Sequence, residues 1–165
     1  MPRFLIDYVK ENEPSLTTKY PFLPDLLTIE WKELEWFTNP DQPPLELPSD
    51  YFGDGKQYVY HPEHEIILLD YPVFKTVSPQ EWTEGKAKYF LMIYRHIDTD
   101  KVYYSEVSPF FAFFWEGVKE QKPLTSIRKE MEELIRLNTD ENVNVDYLIG
   151  DFLKNLTEYR LLLIK

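Results

Sequence analysis

A chain of 165 residues, 16% of them aromatic, has the apolar mass to fold around one sizeable core, or a small core with a helical appendage, despite its 13 prolines. It contains no cysteine, which excludes disulfides, thiolate metal sites and cysteine nucleophiles. Its 29 acidic against 18 basic residues give a net charge of −11, the opposite of the clustered Lys and Arg that nucleic acid requires.

Met1-Pro2-Arg3 leads into an acidic, aromatic segment rather than an apolar stretch with a cleavage site. The longest apolar runs, "EIILLDYPVF" and "YRLLLIK", are too short to span a bilayer, so a cytoplasmic protein is expected. From Pro2 to Asn12, Phe4, Leu5, Tyr8 and Val9 form a stripe that predicts a short amphipathic helix, which "NEPSLTTKYP" then breaks.

The segment "YPFLPDLLTIEW" opens a second helix running to Thr38. Pro21 and Pro24 fix the entry, with Pro24 as first helical residue, where its missing N–H is no loss. Asp25 places negative charge near the helix N-terminus. The spacing of Leu27, Trp31 and Leu34, widened by Leu23 and Ile29, predicts the packing face, with Glu30 a hydrogen-bond acceptor beside Trp31.

"NPDQPPLELPSDYFGDG" reads as a linker or a surface-hugging connection. After it, "QYVYHPEHEIILLDYPVFKTV" predicts two short extended segments. "AKYFLMIYRH", Asp98-Thr99-Asp100 and "KVYYSEV" predict a β-hairpin whose first strand, apolar on both faces, is central. Three helices should follow. Ser108 caps the first, with Pro109 at its first position; Thr125 or Ser126 caps the second; Asn144 caps the third. "RLLLI" is a strand returning to the sheet. The predicted fold class is α+β: a short helical unit over 1–39, read as a truncated bundle, a Pro-rich linker over 40–55, and a winged-helix-like domain with a small antiparallel sheet over 56–165.

Chemistry-bearing constellations are sparse. His61 and His64, with Glu63 and Glu65 nearby, are the weak candidate metal ligands, but Pro62 and the extended flanks do not make the rings converge, and the structural reading is preferred. The carboxylate pairs Glu63/Glu65, Glu130 with Glu132 and Glu133, and Asp140/Glu141 sit in polar settings with nothing to split their pKa values. "GDG" lacks the strand, helix and lysine of a phosphate loop. No catalytic residue and no cofactor is therefore expected. A helix-turn-helix reading brings DNA back as a rival, yet the last helix offers Asp146, Asp151 and Glu158 with only Lys154 and Asn155 of the useful kind. What remains is surface for another polypeptide. The aromatic run Phe110, Phe111, Phe113, Phe114 and Trp115 is wider than one buried stripe, and a hairpin edge can accept an added strand. Phe110, Phe113, Trp115 and Tyr103 are the candidate partner- or peptide-binding residues.

The motifs "YPFLPDLLTIEW", "HPEHEIILLDYPVF" and "YFLMIYRH" resemble the HvfC/BufC family, whose genome label is DNA-binding domain. Pro21, Leu23, Asp25, Leu26, Glu30, Trp31, His61, Pro62, Tyr71, Pro72 and Val73 stand at the family's motif positions. The resemblance implies a non-catalytic partner subunit of a TIM-barrel iron enzyme that modifies cysteines in a ribosomally made precursor peptide, the partner holding the iron. The C-terminal part is similar to winged-helix precursor-recognition domains, which take a leader peptide beside an edge strand and against a helix. Two departures stand out. Family members carry a longer N-terminal helical domain, and "KEQKP" replaces the glycine expected between two of the helices, with Gly117 earlier. The competing readings are a DNA-binding transcriptional regulator and a small metal-dependent enzyme built on His61, His64 and a carboxylate.

Overall fold

The computed structural model describes residues 4–138 and 143–165. In chain order it contains helices α1 (Phe4–Asn12), α2 (Pro14–Lys19) and α3 (Leu23–Thr38), then strands β1 (Leu45–Glu46), β2 (Tyr58–Tyr60) and β3 (His64–Leu69). Helix α4 (Pro79–Glu84), strands β4 (Tyr89–His96) and β5 (Lys101–Val107), helices α5 (Pro109–Lys119), α6 (Leu124–Asn138) and α7 (Val145–Glu158), and strand β6 (Leu162–Ile164) complete it. The expected pair Asp140 and Glu141, and Met1 to Arg3, lie outside the described residues.

The chain divides into two compact units, each built from two stretches of sequence: Met1–Pro40 with Glu65–Val107, and Asp41–His64 with Ser108–Lys165. The break after Pro40 falls beside the expected one after residue 39, whereas 56–107, expected to form one domain with the helices that follow, is shared between the units. The hairpin does not join the three helices that follow it. It pairs with β3 in a sheet of order β3-β4-β5, whereas "RLLLI" returns to a different sheet, of order β1-β2-β6. Nor is 40–55 a free linker. Leu45 and Glu46 pair with Tyr60 and Val59. Next to them Leu47 is buried and donates its N–H to the Tyr58 carbonyl at 3.0 Å. A Pro-rich segment can do this because an edge strand needs few of its amides.

In the first unit β4 is central, as its two apolar faces predict, and β5 runs antiparallel to it from Phe90↔Val107 to His96↔Lys101. Alternation puts Leu91 and Ile93 on one face. There they meet Phe22, Ile29 and Trp36 of the α3 region and Ile67 and Leu69 of β3, with Leu26, Val102 and Tyr104 packed alongside. The packing face of α3 keeps Ile29 of the predicted set but is shifted away from Leu34. Trp36 is buried and Leu34 is 46% exposed. Phe22, Leu26, Ile29 and Trp36 follow the i, i+4, i+7, i+14 spacing of one helical face, and the sheet chose that stripe over the one through Leu27, Trp31 and Leu34. The unpredicted helix α4 has a capping box. Ser78 accepts from the Glu81 amide, the Glu81 carboxylate accepts from Ser78, and Pro79 sits in the first turn.

In the second unit α5 starts as predicted, with the Ser108 hydroxyl accepting from the Phe111 amide at 3.1 Å. Asn144 likewise caps α7 through the amides of Asp146 and Tyr147. Helix α6, by contrast, starts at Leu124, so Thr125 and Ser126 lie inside its first turn rather than capping it. The turn in "KEQKP" needs no glycine. Gln121 takes the left-handed conformation (φ 54), its N–H donates to the Val118 carbonyl, and Lys122 N–H reaches back to Gly117. That pair of bonds is a Schellman ending, and Arg160 (φ 61) ends α7 in the same way. Gly117 serves packing instead, because a Cβ there would come within 2.9 Å of the Ile127 side chain.

Candidate peptide-binding groove

Aspartate 25 is the hinge of the N-terminal motif, though not as a helix-dipole charge alone. Pro24 sets the first turn of α3 so that the Asp25 side chain faces the end of β3. Its Oδ2 accepts both the Asp70 amide at 2.7 Å and the Tyr71 amide at 2.8 Å. These two N–H groups follow the last residue of β3, where the ladder stops supplying partners. Burial raises the Asp25 carboxyl above its ordinary value despite the opposing effect of the two amide bonds. Tyr71 and Val73 are buried beside it. The motif residues Asp25 and Tyr71 thus meet at one junction of the fold. Glu30 does not share that work. It is exposed and makes no hydrogen bond or ion pair among the described residues.

Glu30 instead lines an open groove of about 600 Å³ between α3 and the start of β5. Its apolar surface comes from Leu34, Phe37 and Val102, and its carboxylates from Glu30, Glu33 and Asp100, with Lys101 among them. Phe37 is 69% exposed, which is unusual for a large aromatic at a helix end. Two interactions fix the walls. The Tyr104 hydroxyl donates to Glu33 Oε2 at 2.7 Å. Arg95 Nη1 donates to the carbonyl of Asn39, the residue that ends α3, at 3.0 Å. Burial, then Glu33 and then Glu30, push the Tyr104 hydroxyl far up, so it remains a donor. Lys32, the single cation of α3, is taken up by Glu35 at 2.9 Å and Glu65 at 2.6 Å. Beside the groove β5 is the sheet's edge strand, since its neighbour in the order is β4 alone.

Sequence reasoning missed this groove. Phe37, Glu33, Asp100 and Val102 were not singled out, and the available signal was the acidic-apolar pattern "EWKELEWF" opposite "DTDKVYY". Of the four aromatics proposed for binding, Trp115 is fully buried and belongs to the core of the second unit, 5.9 Å from the Tyr60 ring. Its neighbours on the helix, Phe111 and Phe114, are buried as well, which makes most of the run core. Phe110 and Phe113 are half-buried. Tyr103 is 39% exposed and stacks at 5.8 Å on Tyr94.

Of the histidine pair, His64 is packed in the core and His61 is half-buried. His64 is buried, its Nδ1 lies 2.7 Å from the His61 carbonyl, and its ring stands 5.1 Å from that of Trp115. Burial, reinforced by Lys119, pushes the His64 imidazole down to about 3, so it is neutral and donates from Nδ1. Glu63 is buried too and accepts the Gln42 amide at 2.6 Å, whereas Glu65 engages Lys32. The two carboxylates therefore have separate structural duties. Among the described residues no group of three His, Cys, Asp or Glu is placed to hold a metal ion. No protein-family model, no curated protein and no solved structure matches this chain.

Proposed function

We propose that this protein is a non-catalytic accessory subunit of the HvfC/BufC type, which binds a TIM-barrel iron enzyme, a precursor peptide, or both, during modification of a ribosomally made peptide. The observation that carries the reading is the groove between α3 and β5, where large apolar side chains stay exposed beside the backbone of an edge strand. An extended peptide added to β5 would satisfy that backbone and lay alternate side chains over Leu34, Phe37 and Val102. The motif residues resembling the family support the assignment at the level of sequence. We take the finer winged-helix-like reading to concern the second unit, whose three helices and β1-β2-β6 sheet support it.

The reading is tested by co-expressing the chain with a TIM-barrel iron enzyme encoded beside it and following both by size-exclusion chromatography. Co-elution at a defined ratio is expected. Independent elution of two well-folded proteins, at concentrations well above a micromolar Kd, removes the enzyme from the reading and leaves the precursor peptide as its sole partner.

A further inference from the structure

We infer that the α3–β5 groove selects an extended segment carrying a lysine or arginine next to apolar residues, and that Glu30 is its specificity-determining residue. The inference rests on the peptide-binding reading and adds the chemistry of the occupant. Three carboxylates face the groove against the one ammonium of Lys101, and Lys32, the single cation of α3, is already neutralised by Glu35 and Glu65. Glu30 makes no hydrogen bond or ion pair among the described residues. Glu33 is held against the strand through Oε2 by Tyr104, which leaves Oε1 for a ligand and fixes the direction from which it accepts. An exposed carboxylate pair above an aromatic and aliphatic surface suits a side chain that is apolar along its stem and cationic at its tip. The same field repels phosphate-bearing partners, so nucleic acid and anionic lipid surfaces are disfavoured here.

The decisive probe is a short acetylated peptide alternating valine and threonine with a lysine near each end, compared with a twin in which glutamate replaces lysine. Amide chemical-shift mapping of the full chain should place the lysine peptide at residues 30–37 and 100–104. The glutamate twin should bind about tenfold or more weakly, corresponding to roughly 1.4 kcal/mol. Raising the salt from about 20 mM to about 300 mM should weaken the lysine peptide, because the contacts are partly exposed. Glu30→Lys, an exposed change with no bond to lose, should abolish the preference while leaving the thermal melt unchanged. Equal binding of the twins, or shifts outside the groove, overturns the inference. Complex formation with the iron enzyme without lysine-peptide binding would sink this inference and leave the accessory reading standing. Lysine-peptide binding in the groove without enzyme association would keep this inference and remove the iron enzyme as a partner.

Discussion

At the scale of single residues, Asp25 and His64 show how differently two polar side chains can be used. Asp25 gathers two strand-end amides on one oxygen. Replacing it with alanine strands both donors, and urea unfolding should record a loss of about 2–4 kcal/mol. Asp25→Asn keeps a carbonyl oxygen at the same place and should lose less than half of that. His64 is held neutral, with its pKa lowered from 6.5 to about 3. A depressed folded-state pKa stabilises the fold fully above the unfolded value. That contribution is lost as pH falls from about 6.5 towards 3, by up to about 1.4 kcal/mol per pH unit. Measured between pH 7 and pH 4.5, stability should fall more steeply in the wild type than in His64→Gln, whose amide does not titrate. Parallel pH profiles would show that the imidazole is not the group responsible. Asp25 was legible only as a helix-start charge, because Pro-Asp is a local signal; its bonds to the Asp70 and Tyr71 amides, 45 and 46 positions on, were not. The burial of His64 was not, since the Trp115 ring that covers it lies 51 positions along the chain.

At the scale of elements, the helix ends were the most readable features. Ser108 and Asn144 cap because a side-chain oxygen two or three residues from an orphan amide needs nothing distant. The face of α3 was not readable, because Leu, Ile and Trp occupy most of its circumference and only the sheet decides which stripe is covered. The close approach of α5 and α6 rests on Gly117. Gly117→Val would drive two methyl groups into Ile127 and should destabilise by about 1–3 kcal/mol by thermal or urea unfolding. An unchanged midpoint would mean that the helices can separate at little cost. Ser78→Ala removes the hydroxyl from the α4 capping box and should cost about 1 kcal/mol, read locally as faster amide exchange across residues 79–84.

At the scale of the whole molecule, charge excludes more than it identifies. With a net charge of −11, the protein should show no saturable shift of duplex DNA even at low salt, and tight, salt-sensitive binding would revive the transcriptional reading. No helix among the described residues is long and apolar enough to cross a membrane. The amino-acid sequence by itself determined the α+β class, the order of most helices and strands, the central position of β4 and the acidic character, because each follows from composition, periodicity or a cap a few residues away. Only the tertiary structure decided that the chain crosses between units at 40/41, 64/65 and 107/108, that "RLLLI" pairs with β2, and that Phe37 and Glu30 share a groove with Asp100. Those outcomes depend on which of several equally apolar surfaces finds a cover, and that choice is made between segments tens of residues apart, where local pattern has no reach.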